Sequence, residues 1–444
     1  MKNLKNKVSI IVGITLGVFI SVSLLVGVPQ GFAAEKINYY FATSVQGPLA
    51  RKMGQMVDRY NKSQNEVKVV ASYTGSYAET KIKVSAAVKA GNPPAISMMS
   101  ANMIHEFVEE DQIEAIGDFL DIPEAEFLND FWPGVHANAS VNGKLYAIPF
   151  QNSTPILYVN ADHFREVGLD PDNLPENWEE LVAAGKKLIK KDGDETTRYG
   201  LMLPLASSYG NWILQAFVMS NGGQYFNAEY PGEVYYSSPT TRGALQFWSD
   251  LVHKYGIMPK SITSAGQVST NFFAGRTSMM IVSTGALTNV RNNVKFDYRV
   301  GFVPRNVRNA VPVGGASMII FKGLKPNQRA AAWKFASWIT APKQLAEWSR
   351  TSGYFSPRKS SYDLPEMKEF MKAHPDASVA LNQLKYTHPW YSTYNTEAVG
   401  RPMTNAIQSV ILGKQSVGEA LTIAQEKADK LLKPYNKSHG YVQE

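Results

Sequence analysis

Three short polar clusters interrupt apolar segments of this 444-residue chain and could hydrogen-bond a ligand. They are Gln151-Asn152-Ser153-Thr154, Ser283-Thr284-Gly285 and Gly314-Gly315-Ala316-Ser317. A strand buried on both faces should be apolar throughout, so polar side chains there need partners, which a ligand can supply. Glycines beside a strand let backbone amides approach a ligand closely. A plain loop or turn explains any one cluster, but three in one chain favour a binding cleft.

Aromatic residues and one arginine add further candidates for ligand contacts. Tyr209 and Trp212 follow a Ser-rich approach to an apolar helix, and Tyr354 follows Gly353 after another predicted helix. Aromatic rings stack on the apolar faces of sugars or cover a polyol chain. Arg401 carries the planar guanidinium that binds carboxylate or phosphate. Core packing, or an ordinary surface position for Arg401, is the alternative for each of them.

Signatures of catalysis and of metal binding are not found in the sequence. It contains no P-loop, dinucleotide-binding glycine fingerprint, nucleophile elbow or zinc-binding HExxH pair. The seven histidines are scattered, and the absence of cysteine removes disulfides, thiolate metal sites and a cysteine nucleophile. The acidic run at 106–111 is typical of a solvated helix face; a glycosidase acid/base pair is the alternative. We therefore predict a binding protein without metal or cofactor, and not an enzyme.

The candidate residues must be positioned by alternating strands and helices. Apolar segments at 37–41, 67–73 and 95–99 alternate with amphipathic helical patterns, which predicts βαβ units and a largely parallel sheet. The closing third reads as helical. We interpret residues 148–160 as a crossing between two lobes, with the polar cluster facing the cleft. Residues 279–286 and 311–317 repeat this pattern and are predicted to be further crossings.

Length and composition support an exported protein of two domains. A chain of 444 residues is too long for one core of ordinary size. Its formal charge of +7 is modest and the basic residues are spread out, which gives no support for nucleic-acid binding. Three lysines precede an apolar run from residue 8 to 28, which predicts a signal peptide over residues 1–34. An uncleaved membrane anchor is the alternative, and either places the remainder outside the cytoplasm.

At these clusters the chain resembles the family 1 extracellular solute-binding proteins, which deliver sugars and related solutes to ABC importers. The resemblance covers nearly all of the mature chain, and its most specific segments are 75–77, 149–155, 283–291, 314–317 and 352–354. It implies an α/β, two-lobed periplasmic-binding-protein fold of type II, like maltose-binding protein, with a cleft between lobes. We expect residues 35–149 with 285–313 to form the N-terminal lobe, and 150–284 with 314–444 the C-terminal lobe.

The resemblance also implies the ligand, its contacts and the partner. We expect a periplasmic monomer that passes a polyol phosphate such as sn-glycerol-3-phosphate to membrane permease subunits, with a mono- or oligosaccharide as the alternative. Where glycerol-phosphate-binding members have a glutamate after the third strand, this chain has Ser100-Ala101-Asn102, and Tyr209 replaces one of their paired tryptophans. The implied ligand contacts are Tyr77, Ser153, Tyr209, Trp212, Ser283, Gly315, Tyr354 and Arg401.

Overall fold

The computed structural model describes residues 34–43 and 49–441, where most of the longer strands belong to two mixed sheets. The strands are β1 (Glu35–Phe41), β2 (Val67–Tyr73), β3 (Ile96–Ser100), β4 (Ser140–Val141), β5 (Lys144–Leu145), β6 (Ile148–Ser153), β7 (Pro155–Asn160), β8 (Lys190–Asp192), β9 (Glu195–Met202), β10 (Thr277–Ser283), β11 (Tyr298–Gly301), β12 (Val311–Pro312), β13 (Gly314–Ile320) and β14 (Thr387–His388). The predicted signal peptide, residues 1–34, lies outside the described ranges except for Ala34.

Helices cover both sheets. They are α1 (Leu49–Ser63), α2 (Tyr77–Lys89), α3 (Ile104–Glu109), α4 (Glu124–Leu128), α5 (Ala161–Glu166), α6 (Trp178–Leu188), α7 (Ser207–Ser220), α8 (Pro239–His253), α9 (Ala265–Phe273), α10 (Leu287–Asn293), α11 (Pro326–Ile339), α12 (Pro342–Ser352), α13 (Pro365–Ala373), α14 (Pro375–Gln383), α15 (Thr396–Ile411) and α16 (Val417–Ser438). Among the residues described, no helix has the length and apolar character needed for a membrane span.

The first sheet has the strand order β2-β1-β3-β13-β6 and organises the first lobe. The predicted βαβ units are confirmed here, because β1 is parallel to both β2 and β3. The sheet is mixed and not largely parallel, since β13 runs antiparallel to β3 and to β6. Its core includes the fully buried residues Tyr39, Met98, Ile319 and Phe335.

The second sheet has the strand order β11-β7-β10-β9-β8 and organises the second lobe. Strand β10 is parallel to β9 and antiparallel to β7, which in turn is antiparallel to β11. On one face of this sheet lies a core that includes Phe217, Trp248, Ile407 and Leu421. Helices α7 and α8 pack in this core with α15 and α16, which come from the end of the chain.

The structure differs from the predicted lobe boundaries in its late segments. Strand β11, predicted in the N-terminal lobe, pairs with β7 in the second sheet. Strand β13, predicted in the C-terminal lobe, lies between β3 and β6 in the first sheet. The physical reason is that Met318 and Ile319 bury their side chains in the first core, which fixes β13 there. Helices α15 and α16 contribute residues to the core on the second sheet.

Crossings between the sheets lie at two of the three predicted places. Thr154 separates β6 of the first sheet from β7 of the second, and the chain passes back between β11 and β13. The predicted crossing at 279–286 is wrong, because β10 and β11, which flank that junction, both belong to the second sheet. A return to the second lobe occurs instead between α12 and α15. There β14 pairs with β12 in parallel, beside the second crossing.

The polar cluster of the first crossing bonds mainly to the protein and not to the cleft. Gln151, Asn152 and Thr154 are all 0% exposed, which corrects the prediction that the whole cluster faces the cleft. The Thr154 N–H donates to Thr284 Oγ1 at 3.2 Å, and the Thr284 N–H donates to the Thr154 carbonyl at 2.9 Å. Gln383 Nε2 donates to Thr154 Oγ1 at 2.8 Å. The crossing is therefore tied to segments far away in sequence.

Acid should destabilise the second lobe through His163. Its Nδ1 lies 3.0 Å from Ser278 Oγ. Burial, followed by repulsion from Arg198, lowers the pKa of His163 from 6.5 to about 4. As the pH falls through this window the unfolded chain binds a proton that the folded chain does not, so the free energy of unfolding should decrease. Thermal unfolding at about pH 7 and pH 5 tests this. His163→Gln should lose less stability on acidification than wild type, and an equal loss would contradict the assignment.

Candidate ligand-binding site

A cavity of about 400 Å³ lies between the lobes and is large enough for a small organic ligand. The first lobe contributes residues near the starts of α2 and β13, and the second lobe contributes the starts of α7 and α9 and the end of β10. Seven of the eight predicted contact residues line it: Tyr77, Ser153, Tyr209, Trp212, Ser283, Gly315 and Tyr354. The fold thus brings together residues that are almost 280 positions apart in sequence (354 − 77 = 277).

The cavity wall combines hydroxyl groups with a larger apolar surface. Its described lining consists of hydroxyl, aromatic and small residues, and no Asp, Glu, Lys or Arg side chain occurs among them. Sequence reasoning missed several members, namely Thr43, Ser76, Ser207, Ser208, Ser264, Ala265, Gly266 and Trp390. Most of them lie where a helix begins, so the serine-based helix-start signal could have found them.

The N-terminal residues of α2, α7 and α9 line this cavity. Ser76 and Ser264 cap α2 and α9 through their side chains, whereas Ala206 precedes α7 without a side-chain cap. Ser207, the first residue of α7, adopts a left-handed backbone with φ of 60°. Strained residues of this kind cluster at functional sites. The first amides of a helix carry partial positive charge, so these ends favour a ligand with electron-rich oxygens.

Ser283 and Tyr209 are joined by a hydrogen bond at the cavity wall. The Ser283 N–H donates to Tyr209 Oη at 2.8 Å, and Ser283 Oγ accepts from the Gly285 N–H at 3.0 Å. Since the backbone amide is engaged, the Ser283 hydroxyl proton is the group that can donate to a ligand. Burial raises the pKa of Tyr209, so its phenol stays neutral.

Trp212 presents an aromatic surface whose polar atom is already bonded. Its Nε1 donates to the Val313 carbonyl, at the second crossing, at 3.3 Å. The ring makes an edge contact with Tyr209 at 5.4 Å between centroids and a tilted contact with Trp390 at 5.8 Å. With the indole N–H used, Trp212 can offer a ligand only its carbon surface, which suits the apolar face of a sugar or polyol.

Gly315 and Gly285 are glycine because other atoms approach them closely. Gly315 has φ of +99°, and a Cβ there would lie 2.9 Å from Asn152 Cα and overlap the Gln151 carbonyl oxygen. A Cβ on Gly285 would lie 2.7 Å from the Tyr354 ring. Tyr354 is 2% exposed, so its ring is held in place against this glycine.

Arg401 is the one predicted contact that does not line the main cavity. It lies on α15 and lines a second chamber of about 140 Å³, which shares Ser207, Ser208 and Trp390 with the main cavity. Arg401 is exposed and makes no hydrogen bond or ion pair with any residue the structure describes. Asn102 lines the same chamber, and the Ser100 hydroxyl donates to Asn102 Oδ1 at 2.7 Å. The two chambers adjoin, and the smaller one is lined by both the cationic Arg401 and the anionic Glu397.

Comparison with known proteins decides the family. The family of bacterial extracellular solute-binding proteins matches residues 55–377, which is well over half of the chain. This chain belongs to that family. The solute-binding protein is 28% identical over 424 residues to the sn-glycerol-3-phosphate-binding periplasmic protein UgpB of Escherichia coli strain K12, covering 90% of this chain and 93% of the relative. It is also 28% identical over 423 residues to UgpB of Pectobacterium atrosepticum, covering 90% and 92%.

Solved structures share the fold of this solute-binding protein. UgpB from Mycobacterium tuberculosis in complex with glycerophosphocholine matches with a TM-score of 0.79 and 23% identity, covering 90% of this chain and 99% of that one. Maltose-bound MalE3 from T. maritima matches with a TM-score of 0.77 and 22% identity, covering 90% and 100%. The predicted α/β, maltose-binding-protein-like fold is confirmed.

Proposed function

We propose that this solute-binding protein serves an ABC importer and binds a polyol phosphate, such as sn-glycerol-3-phosphate, or a sugar in the cavity between its lobes. The observation that carries the proposal is the cavity itself, because both lobes line it with hydroxyl and aromatic groups. Such walls suit a ligand with many oxygens and apolar carbon faces. The protein would act in the periplasm as a monomer and present its closed, loaded form to membrane permease subunits.

Each lobe supplies part of the proposed recognition. The hydroxyls of Ser153 and Ser283 and the amide of Gly315 would bond ligand oxygens, while Tyr77 and Trp212 would cover its carbon faces. One lobe holds part of the ligand in the open state, and closure completes the bonds from the other. Binding and not turnover is the proposed role, so a bound oligosaccharide should be recovered intact after incubation.

Two ligand classes are supported by different observations. Similarity to UgpB, the positive ends of the helices and the adjacent Arg401 favour a polyol phosphate. The uncharged main cavity and the fold shared with maltose-bound MalE3 favour a sugar.

Titration calorimetry separates the two ligand classes. The panel is sn-glycerol-3-phosphate, glycerophosphocholine, a set of monosaccharides, and maltose. We expect saturable 1:1 binding of the first compound. Binding of sugars alone would move the assignment to the alternative class, and binding of none would refute the proposal.

Removing the Arg401 guanidinium should weaken binding of an anionic ligand only. We expect Arg401→Ala to bind sn-glycerol-3-phosphate about tenfold more weakly, because a charge-assisted bond to phosphate is lost. Calorimetry measures the change. Arg276→Ala is the matched control, since it removes the same charge just before β10, at the opposite end of that strand from Ser283. Unchanged affinity in Arg401→Ala, or an equal loss in the control, would contradict the role.

A further inference from the structure

We propose that Gln151 is a positioning residue that holds the Tyr77 hydroxyl for ligand binding; this inference rests on the proposed binding role of the cavity. Gln151 lies in β6, two residues before Ser153, and is 0% exposed. Its Nε2 donates to Tyr77 Oη at 2.8 Å. Tyr77 lines the cavity and Gln151 does not, so any effect of Gln151 on a ligand acts through its neighbours.

Stability alone does not explain a glutamine at this place. Gln151 Oε1 is buried and has no hydrogen-bond partner among the described residues. A buried acceptor without a partner costs free energy, whereas an apolar side chain of similar length would avoid that cost. The amide group therefore costs stability through its oxygen. Among the residues described, the one hydrogen bond of the Gln151 side chain leads to a cavity hydroxyl.

The hydrogen bond from Gln151 has a defined effect on the Tyr77 hydroxyl. Tyr77 is the first residue of α2, where the capping box of Ser76 and Glu79 fixes the backbone and the tyrosine ring packs against the first core. The Gln151 amide sets the place of the phenol oxygen and, as the donor, directs the phenol hydrogen away from itself. The carbonyl oxygen of the same Gln151 occupies the place that a Cβ on Gly315 would need. One crossing residue therefore contacts two members of the cavity wall, through its side chain and through its backbone.

Gln151→Met tests the inference because affinity and stability should move differently. We expect the variant to bind sn-glycerol-3-phosphate about tenfold more weakly, or maltose if wild type binds only the sugar. Its unfolding temperature should be equal to or higher than that of wild type. A structural role would lower both, so a variant that unfolds more easily would overturn the inference. In a Tyr77→Phe variant, adding Gln151→Met should not weaken binding further, because the hydroxyl that Gln151 positions is already absent. If the two affinity losses add fully, the inference is overturned.

Ser317→Ala is the matched control. Ser317 Oγ is likewise buried without a partner among the described residues, but Ser317 does not line the cavity. Its removal should leave both affinity and stability near wild type. If wild type binds neither probe, the proposed function fails. Crystal structures of wild type and Gln151→Met then test separately whether Gln151 holds the Tyr77 hydroxyl in place. A shift of Tyr77 Oη by about 1 Å supports it, since sites are held to about half that distance, and an unmoved hydroxyl overturns it.

Discussion

Gly315→Ala should lower the free energy of unfolding by at least about 3 kcal/mol and abolish ligand binding. Two costs add at this position. The backbone has φ of +99°, which is unfavourable for any residue with a side chain. In addition, the new Cβ would overlap the Gln151 carbonyl, and a backbone group in a paired strand cannot move aside as a flexible side chain can. Strands β6 and β13 would have to separate where they line the cavity.

Denaturant unfolding with a second glycine variant separates these two costs. Gly323 also has a left-handed backbone, with φ of +78°, but a Cβ there meets nothing within 4 Å. Gly323→Ala should therefore lose only about 1 kcal/mol, the conformational part. Similar losses in the two variants would show that the close approach of β6 to β13 contributes little.

Trp212→Ala should weaken ligand binding about a hundredfold and lower stability by about 3–5 kcal/mol. The indole is 4% exposed, so truncation leaves a space in the second core as well as removing the carbon surface in the cavity. It also removes the bond to the Val313 carbonyl at the crossing. Trp212→Phe keeps most of the apolar surface and loses the bond, so it should show a smaller loss of affinity.

The comparison variant for Trp212 is Trp333→Ala. Trp333 lies on α11 in the first lobe and stacks on Phe119 at 5.2 Å between ring centroids. It does not line the cavity, so its truncation should lower stability without changing affinity. Calorimetry and thermal unfolding on both variants test this. Equal affinity losses would mean that Trp212 acts through global stability and not through ligand contact.

Local patterns made much of the first lobe and the cavity predictable. Periodicity identified β1, β2 and β3, and the serine before Tyr77 marks the start of α2. Ser153, Ser283 and Gly315 stood out because polar or glycine residues interrupt apolar runs, and all three line the cavity. Their common position was not visible in the sequence, since it depends on sheet pairing between distant strands.

The sequence predictions are wrong where packing between distant segments determines the structure. Strand β11 has four residues and β13 has seven, and nothing local in either segment indicates which sheet it joins. The polar cluster at 151–154 was predicted to face the ligand, yet distant partners such as Thr284 and Gln383 satisfy much of it. The resemblance predicts Arg401 as a ligand contact; helix α15 carries it to the adjoining chamber, and its contact with a ligand stays a prediction.

The insertion of β13 between β3 and β6 makes the lobes interdependent during folding. In the part of the chain that the structure describes, β6 is an edge strand of the first sheet and pairs with β13. Strand β13 follows all the strands of the second sheet in the chain. The first lobe cannot be completed until that late strand is available, so a fragment that ends at Thr154 should not fold on its own. Pairings of such long sequence separation also slow folding.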